Sequence, residues 1–303
     1  MHFAVTILGN NSAIPAHGRH PSAQLVTLKD QLFLVDCGEG TQMQLAQYRI
    51  RVSRIRHILI SHLHGDHYFG LIGLLNSFGL HNRTLPLHVY GPPALENILQ
   101  LQLNSAHAQL PYPLLFHPLK SGQNGILIQE KQAEVRLFPT RHRIDCFGFL
   151  FSERHAPRKI LPEKAAQWHI PFSFYPALQQ GADYQTTDGL QIANADLTTA
   201  GPANRRYAYC ADTLYDEGLL PYISGCDLLY HEATYLHEAQ QRAASRFHST
   251  ALQAGTLARK AKAGRLLIGH YSSIYPDPAP LAAEAREAFS NTDASREGTT
   301  YLV

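Results

Sequence analysis

The segment Ser61-His62-Leu63-His64-Gly65-Asp66-His67 constrains this chain more than any other. It places three imidazoles and a carboxylate directly after an apolar run, Ile58-Leu59-Ile60, that reads as a strand. In extended backbone the side-chain period is two, so His62 and His64 can point to one side. Gly65 then turns the chain and lets Asp66 and His67 aim elsewhere. One short loop can therefore serve two metal ions, but only a fold that brings other ligands to this strand end completes their coordination. Asp66 also precedes a predicted helix, where a carboxylate can cap free backbone N–H groups.

Three other positions repeat the arrangement of a ligand just beyond an apolar strand. His142 follows Leu137-Phe138-Pro139, Asp212 follows Tyr207-Ala208-Tyr209-Cys210, and His270 follows Leu266-Leu267-Ile268-Gly269. Open α/β sheets build their sites at such carboxyl ends. Histidine and aspartate without thiolate suit zinc first, with manganese as the alternative. Asp36 and Glu39 stand in the run Asp36-Cys37-Gly38-Glu39-Gly40. They read as parts of a tight strand-to-helix turn with a capping role rather than as reacting carboxylates.

The rest of the pattern is layered α/β. Strands are expected over residues 3–8, 24–28, 32–35, 57–60, 87–90, 126–128, 134–138, 206–210, 227–231 and 266–268, and helices over 40–48, 68–78, 94–103, 249–262 and 280–289. Residues 152–202 change character. A polar run (153–159) leads through a short helix (162–168) into an aperiodic stretch rich in aromatics, proline and glutamine. This reads as an inserted arm projecting from a single domain that spans 1–303.

Composition excludes little. A hydrophobic content of 45% supports a large core, while 17% charged residues and a net charge of +2 do not announce a nucleic-acid binder. A local basic patch stays open, since net charge says nothing about distribution. Cys37, Cys146, Cys210 and Cys226 form no C-x-x-C pair, which fits reduced thiols and a cytoplasmic location. The start, Met1 through Leu8, reads as a first strand rather than a signal peptide. No apolar run reaches membrane-spanning length, so no membrane association is expected.

Taken together, His62, His64, Asp66 and His67 meet in full the His-x-His-x-Asp-His motif of the metallo-β-lactamase superfamily, which the chain resembles. Gly38-Glu39-Gly40-Thr41-Gln42, His231-Glu232-Ala233-Thr234 and His248-Ser249-Thr250 narrow the resemblance to the short bacterial form of the ribonuclease Z family. That resemblance implies a four-layered αββα sandwich and two zinc ions per chain. It puts His62, His64 and His142 on one ion, Asp66, His67 and His270 on the other, and Asp212 between them. It implies cleavage of precursor tRNA to leave a 3′-hydroxyl, with Asp66 handling the attacking water and His248, held by Glu232, serving the leaving oxygen. It also implies a homodimer whose arm clamps the RNA cut by its partner. Read from the residues alone, His248 stands equally well as an ordinary neighbour of the N-cap of the helix that Ser249 opens.

Substrate contacts are expected from Arg19 and Ser272 near the site and from Arg154, Arg158 and Lys159 at the base of the arm. The chain departs from the family in three places. The loop Pro15-Ala16-His17-Gly18-Arg19 keeps one permanent charge, Ile274 stands where an arginine is usual, and the arm tip 172–181 carries glutamines in place of lysines. Arg141 and Arg143 flank His142 and are candidates to make up the lost charge. Two rivals follow: a dinuclear hydrolase of a small phosphodiester, such as a cyclic nucleotide, or of an ester; and a non-catalytic RNA-binding relative. The intact ligand set weighs against the second.

Overall fold

The computed structural model describes residues 3–154, 158–201 and 203–303. The middle of the polar run, His155-Ala156-Pro157, lies outside the described residues, as do Met1, His2 and Pro202.

Two seven-stranded sheets form the main unit, Met1–Ser152 with Arg205–Val303. The first contains Phe3–Gly9, Ala23–Leu28, Gln31–Val35, Ile55–Leu59, Leu87–Gly91, Leu114–Pro118 and, at its far edge beside Phe3–Gly9, Thr300–Leu302. The second runs Thr292–Ala294, Arg265–Gly269, Leu228–Glu232, Arg206–Cys210, Phe147–Glu153, Ala133–Pro139, Gly125–Gln129. Apolar side chains of both sheets meet in one core, with Val5, Phe33 and Val35 from the first and Phe149, Phe151, Tyr207 and Tyr209 from the second. The other face of the first sheet packs on Leu45, Leu71, Leu75 and Leu95, from the helices Thr41–Gln47, Leu71–Leu80 and Ala94–Ser105. The helices Ala251–Lys260 and Ala279–Ala288 cover the second sheet through Ala254, Leu257, Leu281 and Ala285. Helix, sheet, sheet, helix is the expected αββα order.

Four strands of the main unit had no local signature. Phe147–Glu153 is buried along nearly its whole length, so it shows no alternation of apolar and polar residues. Leu114–Pro118, Thr292–Ala294 and Thr300–Leu302 are short edge or near-edge segments whose state is set by the neighbour they pair with. The helix expected over 68–78 is broken. A turn, Gly65–Tyr68, is followed by Leu71–Leu80. Gly70 lies between them against the backbone of Gly38, whose oxygen is 2.2 Å from where a Cβ on Gly70 would stand. The helix expected over 249–262 starts at Ala251 with Thr250 as its N-cap and a capping box to Gln253, not at Ser249.

Parallel ladders fix where the site lies. Gln31–Val35 pairs in parallel with Ile55–Leu59, and Arg206–Cys210, Leu228–Glu232 and Arg265–Gly269 pair in parallel with each other. Their carboxyl ends therefore emerge on one side. Phe147 N–H donates to the Ser61 carbonyl at 3.1 Å, tying the second sheet to the metal-loop end of the first.

Residues Glu153–Asn204 form a second compact unit. Its core is Ala165, Ile170, Leu178, Ile192 and Leu197, with Phe174, Tyr175 and Tyr184 packed against it. The Asn194 side chain donates to the carbonyls of Leu178 and Ala182, each at 2.8 Å, and so closes a segment with no helical or strand period. Phe172 stays 82% exposed.

Truncating Phe149 to alanine, between the sheets, is expected to cost about 3–5 kcal/mol. Phe172→Ala should stay within about 0.5 kcal/mol. Urea unfolding of both variants checks this, and equal midpoints would show that the inter-sheet core is not what holds the main unit.

Candidate metal centre

Ser61 through Gly65 run on from the strand Ile55–Leu59, and the loop is locked from below. Cys37 N–H donates to the His67 carbonyl at 2.8 Å and Gly70 N–H to the Cys37 carbonyl at 2.9 Å. Gly38 permits this approach, since a Cβ there would come within 2.4 Å of the Asp66 carbonyl oxygen. The seven expected ligands come together in two groups. His62, His64, His142 and Asp212 form one; Asp66, His67 and His270 form the other.

In the first group, His62 Nε2 lies 3.0 Å from His64 Nδ1, which lies 3.1 Å from His142 Nε2. Asp212 Oδ2 stands 3.5 Å from His62 Nε2 and 3.8 Å from His142 Nε2. In the second, Asp66 Oδ2 is 3.5 Å from His67 Nε2 and 3.3 Å from His270 Nε2, and the two imidazole nitrogens are 3.4 Å apart. Asp212 Oδ1 turns to this group, 3.4 Å from His67 Nε2 and 3.1 Å from His270 Nε2. Tetrahedral zinc with bonds of about 2.0–2.1 Å implies ligand-to-ligand edges of roughly 3.3–3.4 Å. Both groups have that size. Asp212 Oδ1 is also buried and accepts no hydrogen bond, which a bare carboxylate tolerates poorly and a bridging cation relieves.

Four of the imidazoles have their other nitrogen engaged. His62 Nδ1 meets Ser61 Oγ at 3.0 Å, His67 Nδ1 meets Asp36 Oδ2 at 2.8 Å, His142 Nδ1 meets the Phe247 carbonyl at 3.0 Å, and His270 Nδ1 meets Thr234 Oγ1 at 3.0 Å. Such partners fix the tautomer and aim the remaining nitrogen at a metal. Asp36 thus has a different place from the turn cap expected of it. Its carboxylate, fully buried at φ 57°, accepts from His67, from Tyr209 Oη at 2.6 Å and from both N–H and Oγ of Ser61 at 2.7 and 2.9 Å. It directly follows a strand, the same rule that singled out His142, Asp212 and His270, so the signal was present. Thr234 entered the sequence reading only as part of the His231–Thr234 segment, with no role of its own: Thr234 Oγ1 donates to Glu232 Oε2 at 2.6 Å and so links His270 to Glu232.

Asp66 does not cap its own turn. Asp66 Oδ2 accepts from Ala13 N–H at 2.7 Å and holds the N-terminal loop to the centre. Glu232 is the buried end of its strand, and its Oε1 accepts from His248 Nδ1 at 2.9 Å and from Thr213 N–H at 3.0 Å. His248 is therefore more than an N-cap neighbour, and its ring lies 5.4 Å from those of both His142 and His270.

The electrostatics favour cations. Burial resists ionisation of Asp212, yet His270, His67 and His62 hold it well below the usual carboxylate range. Burial keeps His64 and His142 neutral, each at about 4. His67 is the exception, since burial opposes its charge but Asp212, Asp66 and Asp36 together raise it well above an ordinary histidine. The field that would protonate His67 is the field that attracts a divalent ion.

The expected substrate contacts fare differently. Arg19 is tied to the protein itself, with Nε on Asn11 Oδ1 at 2.9 Å and its two terminal nitrogens on the carbonyls of Pro276 and Tyr275, each at 2.7 Å. It braces the loop after His270. Ser272 lies nearly buried in that loop, its N–H on the Thr234 carbonyl at 3.2 Å. Arg154, Arg158 and Lys159 begin the second unit, where Arg158 Nε donates to Thr198 Oγ1 at 2.7 Å and Lys159 is exposed.

Known proteins with this sequence pattern carry a name. A Ribonuclease Z of Porphyromonas gingivalis is 44% identical over 295 residues, covering 97% of both chains. The chain belongs to the ribonuclease Z family. A Ribonuclease Z of Bacteroides fragilis is 41% identical with the same coverage. Among solved structures, the short form of human tRNase Z matches with a TM-score of 0.72 and 25% identity over 98% of each chain. Residues 3–157, just over half of the chain, also place it in the family described as "Anti-Pycsar protein Apyc1". That match includes the metal loop and His142 but ends before Asp212, Glu232, His248 and His270.

Asp36→Asn should weaken metal binding about 10–100-fold while the fold persists. A chelator-competition titration with circular dichroism on the same samples checks it; unchanged affinity would leave Asp36 a role in the turn alone.

Proposed function

We propose that this protein is a metal-dependent endoribonuclease that removes the 3′ trailer from precursor tRNA. The observation that carries the reading is Glu232 holding His248 beside two ligand groups, in a chain that aligns with a ribonuclease Z relative over 97% of its length. The donor set, rich in imidazole and free of thiolate, suits two zinc ions, with manganese the second choice. His62, His64 and His142 would hold one, Asp66, His67 and His270 the other, and Asp212 would bridge. Bound there, the ions would polarise phosphoryl oxygens and make the attacking water more acidic.

The chain's own residues supply the proton movements. Asp66, kept ionised against its burial by His67 and His270, accepts the proton of the water that attacks phosphorus. The bond from phosphorus to the ribose 3′-oxygen breaks, and His248 delivers a proton to that oxygen from the nitrogen not engaged by Glu232. The products are a tRNA ending in a 3′-hydroxyl and a trailer bearing a 5′-phosphate. Burial disfavours a charged His248, but Glu232 outweighs it and raises the ring to about 9. The ring is thus ready to donate at neutral pH.

The family resemblance further supports a homodimer in which the unit Glu153–Asn204 contacts RNA bound to the partner. Four free buried cysteines accord with a reducing cytoplasm. No helix among the described residues is long and apolar enough to cross a membrane. A second reading, hydrolysis of a small phosphodiester, draws on Ile274, which is 48% exposed and donates no hydrogen bond through its side chain.

Wild type should cut a 5′-labelled precursor tRNA once, at the trailer junction, and Asp66→Ala should lose about 10³-fold or more of that rate. Bound metal is measured in both. A protein holding two metals per chain that leaves the precursor whole would move the small-phosphodiester reading to the front.

The acid form of His248 exists below its pKa, so kcat/KM should fall as pH rises through it. Bound cations will bring that limb below 9, and Glu232→Gln should move it lower by roughly one unit or more. A pH profile that Glu232→Gln leaves in place would remove His248 as the acid.

A further inference from the structure

With Arg19 committed to carbonyls and Ile274 apolar, the metal centre needs cations from elsewhere to hold a polyanion. The loop that presents His142 has them. Its ends are closed by Thr140 N–H on the Cys146 carbonyl at 2.9 Å. Its middle is pinned to the Asp212 loop, with Arg141 N–H on Thr213 Oγ1 at 3.1 Å and Leu214 N–H on the Arg141 carbonyl at 2.9 Å. The backbone of this loop is thus held to the metal centre, while the side chains of Arg141 and Arg143 are exposed. Among the described residues neither guanidinium has a hydrogen-bond or ion-pair partner, so neither is spent on the fold.

Both line a cleft of about 600 Å³ together with His142, Ile144, Ser121 and Asp145. The cleft therefore opens directly beside a metal-ligand candidate. Asp145, the one acidic lining residue, is engaged by Ser121 Oγ at 2.7 Å. Ile144, 40% exposed, adds apolar surface. Two free cations and an apolar side chain on a fixed backbone match a nucleotide strand, whose phosphates seek guanidinium and whose bases seek apolar faces.

We propose that the cleft beside His142 is a further RNA subsite, in which Arg141 and Arg143 grip phosphates of the strand flanking the cut. This rests on the endoribonuclease reading. The strand is either the trailer or the tRNA's own 3′ end; both present the same phosphodiester chemistry.

The test uses the full, metal-loaded protein and two precursor tRNAs, one with a single-nucleotide trailer and one with a trailer of about six nucleotides. KM and kcat are measured between about 50 and 200 mM salt for wild type, Arg141→Ala, Arg143→Ala, the double variant and an Arg259→Ala control on the remote helix Ala251–Lys260. Each cleft arginine removed should lower the salt slope of log KM by roughly 0.7 and raise KM roughly tenfold at low salt, with metal content unchanged. The control should leave the slope in place, and the Arg141→Lys, Arg143→Lys pair should restore it. Should alanine cost bound metal, Arg141→Gln and Arg143→Gln carry the same comparison. An effect seen only with the long trailer assigns the subsite to the trailer, and an equal effect on both precursors assigns it to the tRNA end. Wild-type slope and KM in a double variant that still cuts would overturn the subsite while leaving the nuclease reading intact. A wild type that cuts neither precursor would overturn both.

Discussion

Asp212 is the constraint around which the rest is arranged. A carboxylate with 2% exposure, one oxygen accepting no hydrogen bond, lies between two sets of imidazoles. Burying such a charge alone would cost several kcal/mol. The structure offsets it by bringing His62 and His142 to one oxygen and His67 and His270 to the other. The imidazoles come from three strand ends and the carboxylate from a fourth, so the two sheets must face each other in one register for the carboxylate to be tolerable at all. The core of Phe149, Phe151, Tyr207 and Tyr209 against Val5, Phe33 and Val35 sets that register, and Tyr209 Oη reaches across it to Asp36.

The same economy governs the residues behind the ligands. Asp36 and His270 both sit in left-handed backbone, at φ 57° and 60°, which for non-glycine residues costs on the order of 1–3 kcal/mol. Their side-chain hydrogen bonds hold them there, and the strained turns aim them inward. The chain His270 to Thr234 to Glu232 to His248 ties the position of a ligand to the position of the proton donor. Metal holding and acid placement are thus parts of one hydrogen-bonded network.

Charge is distributed differently from what the family resemblance implied. Arg19 serves the protein, holding the loop that follows His270, and Ile274 offers no charge. Free guanidinium groups near the centre stand instead on the His142 loop. A net charge of +2 over the whole chain concealed this local arrangement.

Local sequence determined much of this protein. The two-residue period after Ile58-Leu59-Ile60, and the ligands placed just beyond apolar runs, were enough to name all seven metal-ligand candidates, because strand ends in layered α/β folds converge. What only tertiary structure decided involves partners distant in sequence. Asp36 read as a turn cap until His67, Ser61 and Tyr209 were seen around it, Arg19 read as a substrate contact until the carbonyls of Tyr275 and Pro276 claimed it, and Phe147–Glu153 carried no alternation because both its faces are buried. A side chain's chemistry is written in its own residue, but whether that chemistry is spent on the fold or left for a ligand depends on neighbours that only folding supplies.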